Sequence, residues 1–201
     1  MRARRADRSH DDGCRNKSGM TEVMIRTERL LVRPWRDEDL DPFAAMSADP
    51  EVMRHLDGVV DRAHAADVIA RQRAVQAEQG HCFWALERRG DGAFLGFCGL
   101  RVGGHPGTPV ERELEIGWRL ARPAWKQGYA REAAEACLDW AWRHTQAPRV
   151  PAWTVPANVA SWTLMARLGM VHRPELDFDH PRFEAGHPLR RHLVYTIARP
   201  A

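Results

Sequence analysis

Residues 115–133, EIGWRLARPAWKQGYAREA, change abruptly from alternating apolar positions to an alanine-rich helical pattern. Pro123 and Gly128 punctuate the corner, and Gly128 and Ala130 leave little bulk around it. A glycine at a helix start lets a ligand approach the backbone, and the first helical turn leaves N–H groups without intrachain partners. Together with the helix dipole, such amides attract anions, commonly phosphate. Arg122, Lys126 and Arg131 add positive charge nearby. The pattern is neither a P-loop nor a dinucleotide fingerprint, which need other glycine spacings. By periodicity alone, two readings stand side by side: a tight turn with incidental charge, or an anion site.

The rest of the chain surrounds this corner with alternating element types. Residues 30–34 (LLVRP) read as a short strand ended by proline, and Asp37 or Asp39 is placed to cap a helix carrying Leu40, Phe43, Ala44 and Met46. Asp49 and Pro50 start another helix with Val52, Met53 and Leu56 as its apolar side. A longer helix is predicted over 62–79, stopped by Gly80. The hydrophobic period then falls to two: strands at 81–89 and 93–102 form a hairpin around the turn 90–92, and a third strand spans 113–120. A helix over 131–144, a strand at 150–155, an Asn158-capped helix closed by Gly169, and strands at 171–178 and 192–198 complete the order. Val159, Trp162, Met165 and Leu168 are expected to face inward on that last helix. No internal repeat or dividing linker is visible.

Charge argues against a nucleic-acid partner. The net charge is +3, but the first twenty residues hold six Arg/Lys against three Asp/Glu, leaving 24 of each sign in the remainder. With 44% hydrophobic and 28% charged residues and no long apolar run, the chain reads as globular, without a membrane span, and cytoplasmic. Residues 1–23 read as a flexible basic tail or an over-long gene start, and 24–201 as the folded domain. Cys14, Cys82, Cys98 and Cys137 lack paired short spacing, so buried thiols are expected, not disulfides or zinc.

The corner together with residues 158–170, NVASWTLMARLGM, resembles the Gcn5-related N-acetyltransferase (GNAT) superfamily. Within it, the chain is similar to the branch of ribosomal-protein alanine N-acetyltransferases. The opening IRTERLLVRPWRDEDLDPF and the closing RRHLVYTIA carry the same likeness, which runs from about Met24 to Arg199. The resemblance implies a single α/β (α+β) domain. Its central sheet would be mixed and mostly antiparallel, with six to seven strands flanked by helices and a splay between the two central strands. It also implies acetyl-CoA as cosubstrate, no metal, and an amine acceptor that is either a peptide N-terminus or a small molecule; a homodimer is a fair expectation. A non-catalytic acyl-CoA-binding module is the remaining alternative.

Carried over residue by residue, the resemblance places Ile116, Gly117 and Trp118 along the pantetheine arm. It sets Lys126, Gln127, Gly128, Tyr129, Ala130 and Arg131 around the pyrophosphate. Trp125 and Lys126 depart from the family's Q/R-x-x-G-x-G/A pattern, Lys126 standing where a glycine is frequent. Asn158 is assigned to the pantetheine amides, a role compatible with capping its helix, and Ser161 to the cofactor and to assisting the thiolate. Glu115, Glu113 and Glu175 compete as base. Glu113 and Glu115 share one strand face, and Glu175 follows the second motif. Tyr129 is a less accessible acid candidate. Trp35, Trp84, Trp153 and Glu113 are candidates for the acceptor groove, each tryptophan being by default a packing residue. His180, His187 and His192, with Asp177 and Asp179, lack metal-ligand spacing.

Overall fold

A computed structural model describes residues 24–201, and the expectations for residues 1–23, Cys14 included, lie outside the described residues. The elements are β1 (Ile25–Arg26), β2 (Leu30–Arg33), α1 (Leu40–Ser47), α2 (Pro50–Met53), α3 (Arg62–Gln79), β3 (Phe83–Arg88), β4 (Phe94–Val102) and β5 (Leu114–Leu120). They continue with α4 (Tyr129–His144), β6 (Arg149–Thr154), α5 (Val159–Arg167), β7 (Val171–His172), β8 (Phe178–Asp179) and β9 (Arg191–Ala198). One antiparallel sheet has the order β1-β2-β3-β4-β5, and a second has β6-β9-β7, with β8 also paired to β9. The expected mixed α/β domain with a mostly antiparallel, splayed sheet is found, its nine strands among the described residues forming two sheets that part between β5 and β6.

Local chemistry explains most boundaries. Asp61 caps α3 by accepting from the His64 N–H at 2.8 Å, and Gly80 ends it in the left-handed conformation with φ 76°. Two polar residues on the inner side of α3 then fix the next strand: Gln72 accepts from Phe83 N–H at 3.0 Å, and Gln76 accepts from the Trp84 indole at 2.5 Å. The expected strand at 171–178 is broken into β7 and β8 by a 3-10 turn, Pro174–Leu176, because proline cannot donate to a ladder. Asp39 is not a side-chain cap for α1. Its carboxylate is buried against the Arg33 guanidinium, with both bonds at 2.8 Å, and also accepts from Arg36 N–H at 2.8 Å. Arg33 meets Glu87 of β3 at 2.6 Å as well, so this network ties the α1 segment to the sheet. Val159 and Leu56, expected inward, are exposed at 54% and 39%.

The registers sort the first sheet into two faces. Trp84, Cys98 and Trp118 lie in one cross-strand row, and the Trp84 ring meets Trp140 of α4 at 5.1 Å. On α4, Ala133, Ala134, Cys137 and Ala141 are fully buried, small side chains that let the helix lie close to β4 and β5. Phe83, Gly99 and Gly117 form the adjacent row on the opposite face. There Phe83 stacks on Phe97 at 5.7 Å, and Trp35 and Phe43 of the α1 region each pack against Phe97 at 6.3 Å. Trp35 and Trp84, candidates for the acceptor groove, are therefore core residues at 5% and 0% exposure, each with its indole N–H satisfied internally. Cys82, Cys98 and Cys137 are buried free thiols, and burial pushes Cys82 up to about 12. Among the described residues no helix is long and apolar enough to cross a membrane.

Candidate functional site

The two sheets part where the corner begins. β5 and β6 lie side by side, with Cα atoms approaching within 8 Å, yet no backbone hydrogen bond joins them among the described residues. Their starting ends are clamped by the ion pair of Glu113 and Arg149, whose Nε donates to Glu113 at 2.9 Å. The free edge of β5 follows from its pairing with β4. The carbonyl of Glu113 accepts from Gly103 and the N–H of Ala121 donates to Leu95, so the odd-numbered residues between them address β4. With an unbroken register over 114–120, the backbone groups of Ile116 and Trp118 point instead toward β6. Gly117 has a packing reason: a Cβ there would come within 2.9 Å of the Phe83 ring.

Beyond β5 the chain makes a 3-10 turn, Arg122–Ala124, and the Trp125 indole donates to the Leu120 carbonyl at 2.7 Å, closing that end of the strand. Lys126 and Gly128 then adopt left-handed backbone conformations, with φ 59° and 82°, and α4 starts at Tyr129 without a side-chain cap. The backbone N–H groups of Gln127, Gly128, Tyr129, Ala130 and Arg131 donate to nothing among the described residues. Five successive amides at a helix start form a concave array of donors. Lys126 joins no ion pair among the described residues, whereas Arg131 meets Glu135 at 2.7 Å and Arg122 meets Asp49 at 3.4 Å. Gln127 turns its side chain back, donating to the Pro123 carbonyl at 2.5 Å.

The first turn of α4 is held from outside, by the segment between β1 and β2. Arg29 donates to the Gln127 carbonyl at 2.9 Å and to Glu132 at 2.6 Å, and its guanidinium lies 4.7 Å above the Tyr129 ring. Glu132 also accepts from Thr27 Oγ1 at 2.6 Å and from Arg29 N–H at 2.9 Å. Burial works to raise that carboxyl, but these hydrogen bonds outweigh it and hold it below the usual range. A Cβ on Gly128 would sit 3.3 Å from the Arg29 guanidinium, in a backbone region that already favours glycine. Tyr129 is 7% exposed and packs beneath Arg29.

The second motif forms the neighbouring helix start. Asn158 Oδ1 accepts from Ser161 N–H at 3.3 Å, while its Nδ2 donates to Thr154 Oγ1 at 3.0 Å. Asn158 and Ser161 thus come together after β6, as α4 begins after β5, and both helix starts lie at the finishing ends of the two strands. Next to Asn158, a cavity of about 420 Å³ is lined by residues 54–58 after α2, Val155, Ala157, and residues 187–189 of the β8–β9 loop. An ion pair between Asp57 and Arg182 bridges two of these walls.

The three candidate carboxylates occupy different settings. Glu115 is 5% exposed, and Arg101 donates to it at 2.5 Å. Burial raises its pKa, and Arg101 opposes the rise. Gly103 makes room for it, since a Cβ there would stand 2.3 Å from Glu115 Oε1. Glu113 is committed to Arg149. Glu175 stands on the turn between β7 and β8 with a 62% exposed side chain, 3.3 Å from Arg173. The hydrogen bond that Arg149 donates to Glu113 chiefly raises the Arg149 pKa, and Glu175 adds to it through space, which associates Glu175 with the clamped ends of β5 and β6, away from the glycine corner. Trp153 is half-buried against Phe178 at 6.2 Å. Among the described residues no group of three His, Cys, Asp or Glu side chains is arranged to hold a metal ion.

The geometry has clear counterparts. A family model, the acetyltransferase (GNAT) domain, matches residues 29–171. The protein YkkB of Bacillus subtilis (strain 168) is 32% identical over 154 residues, covering 74% of this chain and 86% of YkkB. An acetyltransferase from Agrobacterium tumefaciens str. C58 superposes with a TM-score of 0.69 at 26% identity, covering 92% of this chain and 99% of that one. RimL, a ribosomal L7/L12 α-N-protein acetyltransferase solved with coenzyme A, shares the fold with a TM-score of 0.70 at 13% identity, covering 88% of this chain and 98% of RimL. The splayed strands, the uncapped helix start and these matches together make this chain a member of the GNAT acetyltransferase family.

Proposed function

We propose that the protein transfers an acetyl group from acetyl-CoA to the α-amine of an acceptor by direct attack in a ternary complex. The observation that carries this reading is the row of five unpartnered amides beside the free edge of β5. The donor set suits a diphosphate: the amides of residues 127–131 supply hydrogen bonds, Lys126 supplies a charge, and Gly128 removes the bulk that would block approach. Ile116 and Trp118 offer the backbone pairing that a pantetheine arm needs, and Asn158 lies at the adjacent strand end. Acetyl-CoA supplies an activated thioester carbonyl. The chain's part is to align it, to offer β5 amide hydrogens to a developing oxyanion, and to take one proton from the amine.

An α-amine with a pKa near 8 needs only about 1.4 kcal/mol to shed its proton at pH 7, against roughly 4.6 for a lysine. One modest base therefore suffices. Glu115 is assigned that role, directly or through one water, because it is the buried carboxylate on the splayed strand and burial raises its pKa above the ordinary carboxylate range, making it a stronger base. Ser161, whose hydroxyl enters no hydrogen bond among the described residues, is assigned to the departing thiolate. The test is a coupled measurement with acetyl-CoA and α-amines, in which CoA thiol and acetylated amine are expected in equal amounts. Thiol release without amine consumption, or no acetyl-CoA binding, would contradict the reading.

A further inference from the structure

Two arginines on the α1 face of the first sheet occupy matching positions with one difference. Phe83 and Phe97 stack as a pair, and each carries a guanidinium: Arg101 lies 4.9 Å from the Phe83 centroid, and Arg119 lies 5.0 Å from that of Phe97. Arg101 is completed by the buried carboxylate of Glu115 at 2.5 Å. Arg119 has no carboxylate at all among the described residues, its one polar contact being the Met53 sulfur at 3.2 Å. Its surroundings are dry enough that burial lowers its pKa to about 10, although the side chain keeps some solvent access. A guanidinium held in such a place without an anion is an unmet electrostatic demand.

What lies next to Arg119 indicates where the anion comes from. Met53 directly precedes residues 54–58, the wall of the 420 Å³ cavity. The charged and titratable groups lining that cavity are Arg54, His55, Asp57 and His187; the sole acid, Asp57, is already engaged by Arg182, and Arg54 by Glu51 at 3.3 Å. The cofactor's phosphates are assigned to the amides at the start of α4, which packs on the opposite face of β5 from Arg119. Arg119 therefore stands apart from the phosphate site, and its neighbour Met53 leads into the cavity wall.

We propose that Arg119 selects an acceptor amine bearing a carboxylate, which occupies against Arg119 the place that Glu115 occupies against Arg101. A planar carboxylate matches the guanidinium fork, and polyamines, which lack a carboxylate, would leave Arg119 unpaired. This inference rests on the proposed acetyl transfer and names its substrate class. The experiment compares matched amines, glutamate α-amide with glutamine α-amide, Ala-Glu amide with Ala-Gln amide, and spermidine, using the full chain and its Arg119→Gln and Arg119→Lys variants. CoA release is followed, and acetyl-CoA affinity is measured by calorimetry. The wild type should favour the carboxylate member by about tenfold or more in kcat/KM. Arg119→Gln should bring the pair within about twofold, mainly through KM, Arg119→Lys should restore part of the preference, and acetyl-CoA affinity should stay within about threefold.

A wild-type preference for the neutral or cationic amine overturns the proposal, with no variant needed. So does a preference that survives Arg119→Gln, or a tenfold loss of acetyl-CoA affinity in that variant with the preference intact. Thermal shifts with the α-amides of N-acetylglutamate and N-acetylglutamine give a readout independent of turnover. A larger shift with the former supports the proposal, and equal shifts overturn it. Failure to bind acetyl-CoA counts instead against the acetyl-transfer reading.

Discussion

The starts of α4 and α5 make an instructive pair. Both follow a strand of the splay, at the same edge of the molecule. α5 is closed by its own sequence: the Asn158 side chain accepts from the first turn and is itself held by Thr154. α4 has glycine at the equivalent place, no cap, and amides left open over residues 127–131. A cap exchanges the anion site for helix stability, and its omission leaves the donors to a ligand. The support that α4 gives up at its cap is provided from outside, by Arg29 and Thr27 gripping Glu132 within the first turn.

The largest expected effect comes from closing the open start. Gly128→Asp puts a carboxylate among the amides, in a backbone conformation of φ 82° that suits side chains poorly. Acetyl-CoA affinity should fall by about 100-fold or more in calorimetry, through charge repulsion and occupied donors. Unchanged affinity would place the cofactor elsewhere. Next in size is Glu115→Gln, expected to lower kcat by about 10- to 100-fold and to remove the rise of activity with pH. The sign for stability is also fixed. Burial raises the folded-state pKa, so the folded chain holds a proton that the unfolded chain has released. Stability from this group should therefore fall as pH climbs from the ordinary carboxylate value through the raised one, and the melting profile of Glu115→Gln should be flat over that window. An unchanged pH profile of activity would remove Glu115 from the base role.

The smallest effect should come from opening the closed start. Asn158→Ala is expected to cost about 1 kcal/mol of stability, a melting shift of roughly 2–4 °C. Acetyl-CoA affinity should weaken far less than in Gly128→Asp. A loss of affinity as large as that of Gly128→Asp would mean that the two helix starts share one ligand equally.

Which of these features could be read beforehand follows from how local their causes are. α3 has the expected bounds because Asp61 and Gly80 are cap signals in the chain itself. The corner was visible because strand period, glycine and helix period adjoin within residues 115–133. The break between β7 and β8 was signalled by Pro174 but overridden by the alternating pattern around it. β1, two residues long, has no periodicity to detect and exists through its pairing with β2. Arg29 lies almost a hundred residues before the helix it stabilises, and nothing in its neighbours indicates that docking. Arg119 and Glu115 both look like the polar side of a strand. Packing of Met53 against Arg119, and of Arg101 and Gly103 against Glu115, makes them interior charges, one paired and one not. Trp35 and Trp84 fall to the default for large aromatics, the core.

The central claim is that open backbone amides at the start of α4 hold the cofactor. Titrating acetyl-CoA into labelled protein and following amide resonances tests it most directly. The largest shifts, with strong protection from exchange, should fall on Gln127, Gly128, Tyr129, Ala130 and Arg131. Saturable binding that leaves those five resonances in place would contradict the account.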